Sequence, residues 1–242
     1  MIAGPNGSGK TTLTHMLADE YAVNFYAMLN ADDIFAEVRQ TGAYMPPFSV
    51  EGLDLADFAA RSTYGDDVKR HFAEGRVFVL DDCIRFATQD AVNTYTVALV
   101  TGYLQEVAVR SGRSSSQETV FSHPSKVEAL ERAKRAGFRT YLYFVATELP
   151  SINLSRIANR VRQGGHVVPD EKVVARYGRS LEQVSAALPF LSRAYFFDNS
   201  GGVLRYLAEW NQENGMTLSE PEGDMPRWFV KLVPALRKEA AR

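Results

Sequence analysis

The chain has 242 residues, of which 45% are hydrophobic and 23% are charged, and its formal net charge is -2. These values are typical of a globular protein of one domain, or two at most, and they exclude a strong overall electrostatic attraction to nucleic acid or to an anionic membrane. Cys83 is the only cysteine, which excludes an internal disulfide and a four-thiolate zinc site, and no apolar stretch approaches the ~20 residues of a membrane-spanning helix.

The order of the local signals predicts strands that alternate with helices, and therefore an α/β fold with a mostly parallel sheet and helices on both faces. Residues 1–3 are expected to end a first strand, residues 11–21 to form a helix, and residues 23–29 a second strand. Because a central parallel strand is usually ~5 residues long, we expect an unusually short first strand, whether the true start lies upstream or the protein tolerates a shortened one. The N-terminus lacks a basic segment followed by an apolar one, which predicts a cytoplasmic protein.

The middle of the chain, residues 53–112, is predicted to be mainly helical, because apolar side chains recur there at three- and four-residue spacing. Residues 77–80 form an apolar run that ends in Asp81 and Asp82. Such a run resembles the strand and acidic residue that hold Mg²⁺ in many ATPases. We favour the other interpretation, a buried strand or helix edge followed by a solvated acidic turn.

Two later segments, residues 141–145 and 195–197, are predicted strands because they are rich in β-branched and aromatic residues. Residues 213–226 mix glycine, proline and acidic residues, which predicts a loop.

The C-terminal part, residues 202–242, is predicted to be an extension packed on the body of the protein. Trp228, Phe229 and Leu232 provide the apolar surface for this docking. Pro234 argues against one long helix in this segment.

The most specific signal is Gly4-Pro5-Asn6-Gly7-Ser8-Gly9-Lys10-Thr11, which matches Gly-x-x-x-x-Gly-Lys-Thr between a strand and an amphipathic helix. The glycines let backbone N–H groups turn inward around a β-phosphate, and Lys10 supplies positive charge to the β- and γ-phosphates. The Thr11 hydroxyl can bind Mg²⁺. We therefore predict that ATP or GTP binds with Mg²⁺ at residues 4–12, which include Thr12.

Asp32 and Asp33 follow the second predicted strand, at the edge of the sheet where open α/β proteins place their ligands. A carboxylate there can accept a proton from an acceptor hydroxyl during phosphoryl transfer. The alternative role is a helix N-cap, which aspartate supplies well. One residue of the pair can serve each purpose.

Glu118 precedes a helix that Pro124 can begin. A carboxylate at a strand end that faces the γ-phosphate can position an acceptor or the metal. The alternatives for this residue are a capping interaction and a surface charge.

Three arginines, Arg156, Arg160 and Arg162, precede two glycines and His166. Arg156 and Arg160 are four residues apart and share a helix face, and Arg162 lies near the helix end. Guanidinium groups on a mobile lid stabilise the charge of a transferred phosphoryl group, so we favour a lid with a glycine hinge over a solvated basic helix.

Taken together, these motifs resemble the zeta-toxin family of P-loop kinases over roughly residues 1–201. The motifs that carry the resemblance are residues 4–11, Asn30-Ala31-Asp32, Glu118-Thr119, Ser122-His123-Pro124-Ser125-Lys126, Asn159-Arg160-Val161, Gly164-Gly165-His166-Val167-Val168-Pro169, Arg176-Tyr177, Arg179-Ser180-Leu181 and Asp198-Asn199-Ser200. Well-studied members are toxins of toxin–antitoxin pairs that phosphorylate the 3′-hydroxyl of the amino sugar in UDP-N-acetylglucosamine. A relative that acts on the adenosine ribose of NAD shows that the acceptor varies.

By this resemblance, Lys10 and Thr11 hold the triphosphate and Mg²⁺, and Asp32 is the general base. Glu118 positions the acceptor, and Arg160 or a neighbour clamps the γ-phosphate. The resemblance also implies a small helical antitoxin as a protein partner.

Four further residues are candidates for contact with the nucleotide. Arg156, Arg162 and His166 are rivals of Arg160 in the lid, and Asn199 is expected near the adenine together with Asp198.

The sequence departs from the family in two places. Residues 113–117 are polar, where family members usually have an apolar strand before the glutamate, and buried polar side chains need partners. Residues 35–112 match no family motif and are predicted to be a mainly helical insertion, within one P-loop kinase domain over residues 1–242, that shapes the acceptor side. A mechanical ATPase is disfavoured because no signature loop is present, whereas the serines before Glu118 give some support to a non-catalytic nucleotide-binding protein.

Overall fold

Strands and helices alternate along the computed structural model, which describes residues 1–163 and 168–240. The strands are β1 (Ile2–Ala3), β2 (Ala27–Asn30), β3 (Ala43–Tyr44), β4 (Val77–Leu80), β5 (Cys83–Phe86), β6 (Ser115–Thr119), β7 (Tyr141–Ala146), β8 (Arg193–Asp198), β9 (Arg205–Asn211) and β10 (Gly215–Leu218). The α-helices are α1 (Lys10–Asp19), α2 (Ala31–Thr41), α3 (Leu55–Arg61), α4 (Asp66–Ala73), α5 (Thr94–Arg110), α6 (Ser125–Arg135), α7 (Pro150–Arg162), α8 (Asp170–Ala187), α9 (Arg227–Val230) and α10 (Val233–Ala240). Short 3-10 helices span Gln89–Ala91, Leu188–Phe190 and Glu222–Asp224.

The chain divides into two compact units, which are described separately. The first unit comprises Met1–Asn24 and Glu118–Arg242, and the second is the continuous segment Phe25–Gln117. The second unit begins earlier and ends later than the insertion expected at residues 35–112. A single kinase domain over the whole chain stays a prediction.

The first unit is built on a mixed sheet whose strands lie in the order β10-β9-β8-β7-β1-β6. β1 pairs in parallel with β6 and with β7, and β7 pairs in parallel with β8. β9 is antiparallel to both of its neighbours, β8 and β10. The predicted α/β class with a mostly parallel sheet is therefore confirmed.

The first strand is short, as expected, and lies between two parallel neighbours. Ile2 and Ala3 are both 0% exposed. Residues with this degree of burial are anchored by packing as well as by the ladder of hydrogen bonds on each side.

A large apolar core lies in the first unit, formed by β7, β8 and the helices that follow them. Leu142, Phe144, Ala194 and Phe196 alternate along the two strands and point into this core. Trp228 packs on Phe144 with a ring-centroid distance of 5.8 Å.

The C-terminal segment differs from the loop predicted over residues 213–226. That prediction is wrong at Gly215–Leu218, which pairs with β9 as strand β10. Trp228 and Phe229 are buried in the core of the first unit. Helix α9 ends at Val230, and Pro234 lies in the first turn of α10, where a missing N–H costs little.

The second unit has its own core, in which α2, α3, α4 and α5 contribute apolar side chains. It also contains an antiparallel sheet with strand order β3-β5-β4, which the mainly helical prediction missed. β2 is a neighbour of β6, whose first three residues belong to this unit. No helix in the described ranges is long and apolar enough to cross a membrane.

Asp81 and Asp82 form the turn between β4 and β5, with φ angles of 51° and 58°. The Asp82 carboxylate accepts hydrogen bonds from the Ser49 hydroxyl and from the Val50 N–H, both at 2.9 Å. Residues 77–82 are thus an antiparallel strand and an acidic turn, and Asp82 is engaged in holding a neighbouring loop.

Candidate functional site

The glycine loop, residues 4–11, connects β1 to the first turn of α1. Gly4 has a φ of 153° and lies so close to β7 that a Cβ atom there would be 2.0 Å from the backbone oxygen of Val145. Only glycine permits this approach, because any side chain would overlap a backbone atom that cannot move. The loop is therefore in close contact with the carboxyl end of β7.

Lys10 folds back over the loop that precedes it. Its Nζ donates hydrogen bonds to the backbone oxygens of Gly4 and Pro5, each at 3.1 Å. These neutral acceptors hold the ammonium group close to the loop N–H groups. A phosphate is a stronger partner for the same group, since charge-assisted hydrogen bonds are roughly twice as strong as neutral ones.

Thr11 and Glu118 are brought together by the pairing of β1 with β6. Ile2 lies opposite Glu118 in this pairing, which places the glutamate beside the strand that leads into the loop. The Thr11 hydroxyl lies 3.2 Å from Oε1 and 3.4 Å from Oε2 of Glu118. The result is a hydroxyl and a carboxylate side by side at the first turn of α1.

The strand before Glu118 is polar, as the sequence shows, and it forms nonetheless. Ser115 and Ser116 are half-buried. Gln117 is 1% exposed, and its Oε1 has no hydrogen-bond partner among the described residues. The predicted need for partners is therefore unmet at Gln117.

Three side chains outside the loop bind its backbone or each other. Asn153 donates from Nδ2 to the backbone oxygen of Asn6 at 2.7 Å. Asn199 donates from Nδ2 to the backbone oxygen of Ser8 at 2.9 Å. Arg156 donates from Nη2 to the backbone oxygen of Asn199 at 2.6 Å. Helix α7 and the end of β8 thus hold the loop.

Sequence reasoning had placed Arg156 and Asn199 near the nucleotide but had missed Asn153. The signal was present, because Asn153 and Ile157 are four residues apart and both lie on the buried face of α7. A polar residue on an apolar helix face needs a partner, and here that partner is the loop.

Several buried polar atoms around the loop have no hydrogen-bond partner within the described ranges. They are Asn6 Oδ1, Ser8 Oγ, Arg156 Nη1 and Asn199 Oδ1. Buried polar atoms are paired in the great majority of cases, so a group of four in one place calls for a polar ligand or ordered water.

A shallow, open depression of about 440 Å³ lies on the first unit, between α7 and the turn that follows β8. It is lined by Ser151, Ile152, Ser155, Arg156, Ser200, Gly201 and Gly202. Asp198 holds the turn at its edge, since its carboxylate accepts hydrogen bonds from Ser200 N–H at 3.0 Å and from Trp228 Nε1 at 2.8 Å. Asp198 is therefore occupied by protein groups.

The remaining candidates for the lid lie at the end of α7. Arg160 is exposed, and Arg162 donates to the side-chain oxygen of Asn159. His166 and the two glycines before it lie outside the described residues.

Asp32 lies in the second unit, in the first turn of α2. The N-cap of that helix is Asn30, whose side chain accepts from the Asp32 N–H at 2.9 Å, so the capping role considered for the aspartates is wrong. The Asp32 side chain is exposed. Partial burial and the negative charge of Asp32 raise the pKa of Asp33.

Magnesium is the metal that the sequence implies, and the residues present fit it. Mg²⁺ prefers oxygen ligands and keeps several waters or phosphate oxygens, so one or two protein ligands suffice. Thr11 and Glu118 supply such oxygens. Over residues 1–163 and 168–240 there is no cluster of three or more His, Cys, Asp or Glu side chains that could hold a metal without a substrate.

Comparison with known proteins gives limited matches. No family model matches the sequence. An uncharacterized protein of Haemophilus influenzae (strain ATCC 51907 / DSM 11121 / KW20 / Rd) is 31% identical over 70 residues, which are 29% of this chain and 50% of that protein. The chain thus spans about half the length of this curated relative.

Two solved structures share the fold. A crystal structure of AvrRxo1-ORF1:-ORF2 with ATP has a TM-score of 0.51 and 13% identity, over 96% of this chain and 62% of that chain. The native AvrRxo1-ORF1:-ORF2 complex has a TM-score of 0.50 and 14% identity, over 99% of this chain and 72% of that chain. At these identities the likeness concerns the fold alone.

Proposed function

We propose that this chain is an ATP- or GTP-dependent small-molecule kinase of zeta-toxin type, with a P-loop NTPase fold. In this proposal it transfers the γ-phosphate to a sugar hydroxyl of a nucleotide sugar such as UDP-N-acetylglucosamine. The observation that carries the proposal is the glycine loop with the Thr11 hydroxyl 3.2 Å from the Glu118 carboxylate. Phosphoryl transfer requires a phosphate-binding loop, a helix N-terminus and a nearby carboxylate, and this site has all three.

The loop supports triphosphate binding through its charge and its unpaired groups. Lys10 exchanges the two carbonyl oxygens that it contacts for phosphate oxygens. The Ser8 hydroxyl and Arg156 Nη1 are buried without a partner among the described residues, so both would gain from a ligand that brings polar atoms to them. The depression between α7 and the turn after β8 is the proposed position of the nucleoside. One of the structures that share the fold holds ATP, which agrees with this choice of nucleotide.

Thr11 and Glu118 are the residues that would hold Mg²⁺. The ion supplies charge neutralisation of the β- and γ-phosphates when it is bound. Because Glu118 accepts from Thr11, its carboxylate also orients the hydroxyl toward this site. Glu118 thereby serves metal binding in addition to the positioning of an acceptor.

Asp32 is the general base of the proposal, and it accepts the proton of the acceptor hydroxyl. Its freedom from helix capping supports this role, since Asn30 serves as the cap. Arg160, which is exposed near the end of α7, is the first candidate to clamp the γ-phosphate.

A protein partner is also part of the proposal, namely a small helical antitoxin. Both solved structures that share the fold are complexes of ORF1 with ORF2. We expect the chain to be toxic when it is expressed alone. A small protein encoded beside it should relieve this toxicity.

The decisive experiment incubates purified protein with Mg-ATP or Mg-GTP and with UDP-N-acetylglucosamine or NAD. Nucleoside diphosphate formation and the mass of the acceptor are measured. We expect the acceptor to gain one phosphoryl group at the rate at which the diphosphate appears. Hydrolysis that is independent of both acceptors and of a metabolite extract contradicts the proposal.

Substitution of Asp32 tests the base. Asp32→Asn should lower turnover by about 10²–10⁴-fold and leave ATP affinity unchanged, because a general base acts on the chemical step. Asp66→Asn, which alters an exposed aspartate in the first turn of α4, is the matched control and should have normal turnover. If Asp33→Asn loses turnover and Asp32→Asn does not, the base is Asp33.

A further inference from the structure

Two buried asparagines hold the glycine loop in the first unit. We propose that Asn153 and Asn199 are positioning residues that turn the N–H groups of Gly7 and Gly9 toward bound phosphates. This inference rests on the proposed function, because it requires that the loop binds a triphosphate. It assigns the shape of the loop to side chains outside the loop motif.

Asn153 is fixed at both ends of its side-chain amide. It is 0% exposed. Its Oδ1 accepts a hydrogen bond from the Thr147 hydroxyl, which leaves Nδ2 to donate to the backbone oxygen of Asn6 at 2.7 Å. The orientation of the amide is therefore determined by its surroundings, and the oxygen of Asn6 is held toward α7.

Asn199 is fixed through its backbone. It is 6% exposed and follows the last residue of β8. Its N–H donates to the backbone oxygen of Ala146 at 2.9 Å, and its own backbone oxygen accepts from Arg156. Its Nδ2 donates to the backbone oxygen of Ser8 at 2.9 Å. The oxygen of Ser8 is therefore held toward the end of β8.

The direction of each oxygen determines the direction of the next N–H. A trans peptide is planar, so the C=O of one residue and the N–H of the following residue point in opposite directions. The direction of the Asn6 backbone oxygen thus determines the direction of the Gly7 N–H. The direction of the Ser8 backbone oxygen determines that of the Gly9 N–H in the same way. Both N–H groups point away from the asparagines that hold the oxygens.

The close packing of the two glycines follows from the same contacts. A Cβ atom on Gly7 would lie 2.9 Å from the backbone oxygen of Asn153, and one on Gly9 would lie 2.1 Å from Nδ2 of Asn199. Both glycines also have positive φ angles, 74° and 97°. The asparagines therefore contact the loop so closely that no side chain fits at either glycine.

The test measures phosphate affinity in Asn153→Ala and Asn199→Ala. Calorimetric titrations use Mg-ATP and, separately, Mg-tripolyphosphate, which has no base or ribose. Each variant should bind both ligands at least tenfold more weakly than the wild type. Asn214→Ala, which alters an exposed asparagine before β10, is the control and should bind as the wild type does. The melting temperature is recorded to confirm that each variant is folded at the titration temperature.

Wild-type protein provides a second measurement that does not depend on variants. Amide exchange rates of the loop, measured by NMR, should fall at least tenfold at Gly7 and Gly9 when Mg-tripolyphosphate is added. Folded variants with wild-type affinity, or unchanged exchange at both glycines in the liganded wild type, overturn the inference. Wild-type protein that binds neither ligand overturns the proposed nucleotide site instead.

Discussion

Replacing Gln117 by leucine should raise the free energy of unfolding. Gln117 is 1% exposed on β6, and its Oε1 has no hydrogen-bond partner among the described residues. Leucine removes this unpaired oxygen and fills a similar volume. Because adjacent residues of a strand point to opposite faces, the change lies away from the face that carries Glu118 and should not alter ATP affinity.

The magnitude follows from two opposing terms. A buried oxygen without a partner costs about 1–3 kcal/mol. Exchanging side chains of similar volume but different shape in a packed site costs up to about 1 kcal/mol. The two terms give a net gain of about 0–3 kcal/mol, and its middle value of about 1–2 kcal/mol corresponds, for a chain of this size, to a rise in the melting temperature of roughly 2–8 °C.

The assay is thermal unfolding followed by circular dichroism, together with urea titration of the same samples. Gln40→Leu is the matched control, because Gln40 is exposed on α2 and its replacement should change stability by less than about 0.5 kcal/mol. A melting temperature of Gln117→Leu below that of the wild type refutes the reasoning. A loss of ATP affinity at unchanged stability refutes the assignment of the side chain to the face opposite Glu118.

Two further predictions concern single buried groups. Trp228→Phe should lower the free energy of unfolding by about 2 kcal/mol, because it removes the donor at 2.8 Å from the Asp198 carboxylate. Asp198 also accepts from Ser200, so Asp198→Asn lowers stability by itself, but its cost should be smaller in Trp228→Phe than in the wild type, and strictly additive losses would contradict the pairing. Burial lowers the pKa of Lys126 from 10.5 to about 8. Below pH 8 the side chain is protonated in the folded and the unfolded state, and the whole cost of burying its charge lowers the free energy of unfolding. Above pH 10.5 the side chain is neutral in both states, and this cost is absent. The stability of Lys126→Met relative to the wild type should therefore be higher at pH 7 than above pH 10.5, by roughly 1–2 kcal/mol since the side chain is partly exposed. Urea titrations at several pH values measure the difference, Lys231→Met at an exposed position is the control, and a difference that does not change with pH contradicts the cause assigned.

The glycine loop could be recognised from sequence because its residue types and their spacing form a specific motif. The glycines, the lysine and the threonine each have a steric or electrostatic reason to occupy their position, and a strand and a helix flank them. The buried strand β7 was also predictable, since β-branched and aromatic residues dominate it.

The elements that were missed depend on distant partners. β10 lies in a segment rich in glycine, proline and acidic residues and exists because it pairs with β9. β3 has two residues, too few for a periodic pattern. β6, by contrast, was expected as the strand beside Glu118 although it has no apolar alternation, and its strand form comes from its parallel neighbour β1. Context of this kind overrides local preference, and one sequence does not show it.

The contacts that fix the glycine loop were missed for the same reason. Asn153 and Asn199 act on the loop across long separations in the chain, and nothing near residues 4–11 shows that they do. The contact of Thr11 with Glu118 likewise depends on the pairing of β1 with β6. Sequence reasoning named Thr11 and Glu118 as separate candidates, and the fold supplies their relation.

The position of the glycine loop in the chain has a consequence for its biosynthesis. Asn199 follows Ser8 by 191 positions, so a ribosome adds the loop long before it adds the side chain that holds the loop. At ordinary elongation rates this delay is about 10–40 s. The second unit is one continuous segment and is complete once Gln117 has emerged. The loop is therefore translated well before the side chain that gives it its final shape.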